Sequence, residues 1–96
     1  MFIISLTYKV ELAKVDLFLQ EHIEYLEQQY ALGNFLLSGP KEPRDGGVII
    51  ANVANRQLLD EIIQADPFYR EQLADFAITQ IMPTKSVKEL AFLLCY

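Results

Sequence analysis

Phe2, Ile4, Leu6 and Tyr8 alternate with Ile3, Ser5 and Thr7 at the start of the chain, the period of two that marks a strand. Over residues 12–33 the apolar positions recur at helical spacing instead, and Asp16, Gln20, Glu21, Glu24, Glu27 and Gln28 fill the opposite face. This predicts one amphipathic helix with Gly33 as its stop. Residues 35–38 read as a short apolar strand closed by Gly39-Pro40, and Gly46-Gly47 opens another over 48–53. Asn55 is placed to cap a second helix, in which Leu58, Leu59, Ile62 and Ile63 recur at helical spacing. Pro67 pushes Asp66 out of the α region, so that helix must finish at or near Asp66. Residues 76–82 complete the set as a strand ended by Pro83.

The order β-α-β-β-α-β predicts a ferredoxin-like α+β domain, one four-stranded antiparallel sheet with both helices on a single face. Residues 1–96 form one domain, with a core over 1–83 and a C-terminal extension over 84–96. Strand residues such as Ile49 with Ile50, and Ile78 with Ile81, are apolar on both sides, so a lone sheet would leave an apolar face in water. A second copy of the chain, in a homodimer of dimeric α/β-barrel type or a higher oligomer, is the simplest cover. After Pro83, Ser86-Val87-Lys88-Glu89 has the spacing of a capping box and predicts a short helix with Val87, Leu90, Ala91 and Leu94 on one side. Phe92 and Leu93 fall outside that stripe and point to a contact with the partner, and a fifth strand over 92–96 is the alternative.

Charge and composition narrow the partners. A formal net charge of −5 and the lack of a basic stripe exclude nucleic acid, and no apolar run reaches the length of a membrane span. The apolar N-terminus has no basic flank and carries Ser5 and Thr7, so it reads as a strand and not a signal peptide. One cysteine, Cys95, allows no internal disulfide and no cysteine-based metal site. The expectation is a cytoplasmic protein with no metal, no cofactor, no nucleic-acid partner and no membrane partner.

The candidate chemistry lies in His22, the single histidine, and Asp66. His22 shares its helix face with Val15, Phe18, Leu19, Tyr25 and Leu26, so its imidazole faces the apolar side. In this topology the first two strands run one way and the last two the other, which brings Ser38-Gly39-Pro40, Asp66 and the His22 region toward one end of the sheet. A histidine and a fixed carboxylate are the smallest unit for general acid/base work. Each residue alone has a plainer reading: an inward histidine is more often a hydrogen-bonded core residue, and an aspartate before proline is usually a turn or cap. Glu21, Glu24 and Glu27 form a solvated face, and Gly46-Gly47 lacks the lysine and spacing of a phosphate loop. Tyr8, Tyr25, Tyr30 and Tyr69 read as packing residues with polar tips, while Lys41 and Arg44 could steer an anion to that end.

His22-Ile23-Glu24-Tyr25-Leu26, Gly33, Leu36-Leu37-Ser38-Gly39-Pro40, Gly46-Gly47 and Asp66-Pro67-Phe68-Tyr69, in this order and spacing, resemble the YciI-like (YCII-related domain) proteins of bacteria. The resemblance runs from Phe2 to about Met82. It implies a ferredoxin-like fold, a homodimer packed sheet to sheet, and an active-site dyad whose positions here are His22 and Asp66, with Ser38 nearby. Substrate-binding positions expected around the dyad are Ser38, Gly39, Pro40, Phe68 and Tyr69. Some members carry arginine three residues before the histidine, where this chain has Leu19. The reading that follows is a cofactor-free enzyme performing elimination or isomerisation on a small, partly apolar molecule. The alternative is a non-catalytic dimeric module that binds a small molecule or serves a structural role.

Overall fold

A computed structural model describes residues 1–95. Four strands, β1 (Phe2–Tyr8), β2 (Phe35–Pro40), β3 (Gly46–Ala51) and β4 (Ala74–Gln80), form one antiparallel sheet in the order β2-β3-β1-β4. The helices α1 (Leu12–Asp16), α2 (Leu19–Ala31), α3 (Arg56–Gln64) and α4 (Pro67–Arg70) complete the domain. This is the ferredoxin-like arrangement that the pattern predicts.

Phe2, Ile4 and Leu6 point inward from β1 and meet Ile49 and Ala51 of β3, Phe35 of β2 and Ala74 at the start of β4. Val15, Tyr25, Leu59, Ile62, Ile63 and Phe68 close the core from the helical side. Cross-strand partners share a face, so Ile3, Val48, Ile50 and Leu37 lie together on the opposite side of the sheet. Leu37 there is well exposed. Ser5, Thr7, Ala77, Thr79 and Asp75 share that outer face toward β4, which limits its apolar part to the β1-β3-β2 half.

Several boundaries differ from the sequence pattern. The helix expected over 12–33 is two helices, because Phe18 leaves helical geometry (φ −109°, ψ 4°) and its N–H bonds Val15 O three residues back at 3.0 Å. The break inserts no residue, so the apolar stripe continues through it. Gly33, at φ 77°, ends α2 with Gly33 N–H on Tyr30 O and Asn34 N–H on Gln29 O, both at 3.0 Å, a Schellman closure. Strand β4 starts and ends two residues earlier than 76–82, since its ladder runs against β1 from Tyr8↔Ala74 to Phe2↔Gln80; Ile81 therefore lies just beyond it. Gly46 and Gly47 belong to β3, and a Cβ on Gly46 would sit 1.7 Å from Leu6 O. Glycine is required there by the close approach of β3 to β1.

The C-terminal helix is a 3₁₀ segment, Lys88–Leu93. The expected capping box is absent: Val87 precedes the helix without a side-chain cap, and Ser86 Oγ donates to Val87 O at 2.7 Å. At three residues per turn Leu93, and not Leu94, falls in line with Val87 and Leu90. No side chain of the segment is buried, and Phe92 is 64% exposed. The alternative strand over 92–96 does not form over 92–95, and Tyr96 lies outside the described residues.

Candidate active site

His22 sits on the first turn of α2, with its N–H on Phe18 O at 2.9 Å, and the break at Phe18 sets where that turn begins. Asp66 follows α3 and caps α4. Its extended backbone (φ −70°, ψ 124°) is what the following proline demands. Pro67 then occupies the first helical position, where a missing N–H costs nothing. Asp66 Oδ1 accepts from Phe68 N–H at 2.9 Å and lies 2.8 Å from His22 Nδ1. One oxygen thus holds both a helix end and an imidazole from 44 residues away.

The aromatic ring of Phe68 lies flat against that imidazole, with centroids 3.9 Å apart and planes 4° from parallel. Tyr25 stacks more loosely at 6.2 Å. The imidazole is fixed at one edge by the carboxylate and across one face by Phe68, so its plane is set before any ligand arrives. A carboxylate accepting from Nδ1–H leaves the lone pair on Nε2. Asp66 Oδ2 is, among the described residues, the one sealed side-chain polar atom without a partner. His22 Nε2 is not sealed in this way, and His22 lines a cavity.

That cavity has a volume of about 320 Å³ and lies between α2 and the sheet. Its wall is mainly apolar, with Leu6, Leu19, Ile23, Leu26 and Ile49 as the larger aliphatic contributors, and polar groups come from His22, Ser38, Tyr8 and Arg44. Of the residues expected from sequence, His22, Ser38, Gly39, Pro40 and Phe68 line it. Asp66 stands behind His22, completely buried. Tyr69 does not join them. One residue on from Phe68, it turns to the other side of α4, is 45% exposed and packs edge-on against Phe76 at 5.4 Å, beside a separate, more polar depression with Lys9, Arg70 and Asp75.

Ser38 is engaged by Tyr30, hydroxyl to hydroxyl at 2.5 Å. Tyr25 is buried and donates its O–H to Ile62 O at 2.8 Å; burial, with the charge of Asp66 adding to it, pushes its phenol far above the ordinary tyrosine range. Of the polar lining residues, sequence reasoning did not place Tyr8 at the site, and it gave Arg44 only as a charge that could steer an anion toward that end. Tyr8 continues the inward set Phe2, Ile4, Leu6, and that alternation carries it to the end of the sheet where the β2–β3 loop turns, with its N–H on Asp45 O at 2.8 Å. Arg44 comes from the β2–β3 loop, where periodicity gives no direction; its Nη2 donates to Asp16 Oδ1 at 2.6 Å, and this bond, with a smaller contribution from Tyr8, raises the guanidinium pKa. Among the described residues no group of three or more His, Cys, Asp or Glu could hold a metal ion, and no helix is long and apolar enough to cross a membrane.

Fold and site together define a small ferredoxin-like α+β protein with a histidine–aspartate pair beside an apolar cavity. Residues 1–85 match the YCII-related domain, and the chain belongs to that family. Among solved structures it is similar to 5-chloro-2-hydroxyhydroquinone dehydrochlorinase of Burkholderia phenoliruptrix in complex with 2,5-dihydroxybenzoquinone. The identity is 18%, over 83% of this chain and 91% of that one, with a TM-score of 0.72. No curated protein matches the sequence.

Proposed function

We propose that this protein is a cofactor-free acid/base enzyme in which His22 Nε2 moves a proton to or from a small, partly apolar substrate, with elimination or isomerisation as the reaction. The observation that carries this reading is the 2.8 Å contact of His22 Nδ1 with the buried Asp66, which leaves the other ring nitrogen for the cavity. Asp66 orients the ring and stabilises the imidazolium as it forms. Ser38, Gly39, Pro40 and Phe68 contribute the wall against which the substrate lies. The likeness to a dehydrochlorinase supports small-molecule chemistry of the elimination type on this fold.

The test is a screen of small aromatic and branched metabolites against wild type and His22→Ala. Turnover in wild type that falls by about 10³-fold or more in the variant supports the proposal. Binding that is equal in both, with turnover in neither, assigns the cavity to a non-catalytic binding module, a reading favoured by its largely aliphatic wall. A homodimer is part of the proposal, because Ile3, Val48, Ile50 and Leu37 form an apolar patch on the sheet face away from the helices. Ile50→Lys then yields a monomer or an aggregate by sedimentation, and a wild-type monomer at micromolar concentration removes the dimer. The lone Cys95 suits a reducing, cytoplasmic setting.

A further inference from the structure

We propose that Arg44 determines the specificity of the cavity, selecting a small carboxylate with an apolar body whose carboxylate displaces that of Asp16 from the guanidinium. This rests on the reading of the cavity as a substrate site and names the class of substrate. Among the described residues of the wall, Arg44 is the single lysine or arginine, and no Asp or Glu side chain lines the wall with it. A protein of net charge −5 therefore presents a fixed positive charge at an apolar site.

Arg44 already holds a carboxylate. Asp16 Oδ1 lies 2.6 Å from its Nη2, but Asp16 ends α1, is half exposed, and stands outside the cavity wall. Exchange of Asp16 for a ligand carboxylate keeps the same type of charge-assisted bond. It also moves the bond from a water-exposed surface toward an apolar enclosure, where the attraction is stronger. The guanidinium has five donors in a planar fork and matches two carboxylate oxygens at once. The aliphatic wall of Leu19, Ile23, Leu26 and Ile49 takes the apolar body and gives nothing to a second charge, so the class is a monocarboxylate.

Benzoate and benzamide, alike in shape and different in charge, are titrated by calorimetry or amide-shift NMR into wild type, Arg44→Gln, Asp16→Asn and His22→Gln, with the amide spectrum of each variant checking its fold. Wild type is expected to prefer benzoate by about tenfold or more. Arg44→Gln removes that preference and leaves benzamide unchanged, while Asp16→Asn, which withdraws the competing carboxylate, tightens benzoate several-fold. Equal binding of the two probes by wild type, or no binding of either, overturns the proposal. A preference kept in His22→Gln supports Arg44 as the carboxylate site whether or not His22 transfers protons, so the two readings fail separately. A preference lost in His22→Gln but kept in Arg44→Gln assigns the anion to the imidazole and overturns it.

Discussion

Asp16 and Asp66 each bond a nitrogen of a side chain that lines the cavity, at 2.6 and 2.8 Å, yet one is half exposed and the other fully enclosed. Asp16 closes a five-residue helix and meets a flexible arginine in water. Such a pair is screened by salt and held at little cost, so it is easily exchanged. Asp66 is fixed by its own backbone: Pro67 sets the chain direction, Phe68 N–H occupies the same oxygen as His22, and Oδ2 is left buried without a partner. An unpaired buried oxygen is destabilising, and an apolar residue of similar size would avoid it. Enclosure confers orientation on Asp66; exposure leaves Asp16 free to let go.

The largest expected difference is in turnover. Asp66→Asn keeps the shape and an acceptor for Phe68 N–H, but its amide can place the proton on the wrong ring nitrogen, so the rate of any identified reaction should fall by about 10³–10⁴-fold. Asp16→Asn should not lower it. Steady-state rates on one substrate decide this, and equal losses in the two variants would erase the contrast. For stability, Asp66→Ala removes a helix cap and leaves a buried imidazole N–H unpaired, a loss of about 2–4 kcal/mol in urea unfolding. Asp16→Ala should leave the unfolding midpoint almost unchanged, with any residual shift disappearing in high salt.

A smaller, pH-dependent effect senses the enclosed carboxylate. Tyr25 has its phenol pKa raised in the folded state by burial and by Asp66, so the unfolded chain loses that proton first. The stabilising contribution is complete below about pH 10 and declines by about 1.4 kcal/mol per pH unit above it. Unfolding measured from pH 9 to 11 should show this slope in wild type and lose it in Tyr25→Phe. An unchanged slope in that variant would mean that the phenol does not feel its surroundings as described.

The sequence carries the fold through its periodicities and the His22–Asp66 meeting through topology, because a βαββαβ order brings the end of α3 and the start of α2 to one end of the sheet. Other features depend on geometry that a pattern does not encode. The break at Phe18 preserves the stripe it interrupts. Tyr69 shares the Asp-Pro-aromatic motif but turns away, since adjacent residues on a helix point about 100° apart. The Arg44–Asp16 pair joins a loop to a helix end 28 residues apart, and Ser86 spends its hydroxyl on the neighbouring carbonyl in place of the cap that its spacing suggests.

Because Asp66 Oδ1 serves two donors at once, the Phe68 amide is a spectroscopic probe of the imidazole. When His22 takes up a proton its Nδ1–H becomes the stronger claimant on that oxygen, and the bond to Phe68 N–H weakens in compensation. The amide proton of Phe68 should then move upfield and exchange faster with solvent deuterium. Ligand entry and proton uptake at the cavity could thus be followed in the intact protein from a single backbone resonance, without a label on the histidine or a known substrate.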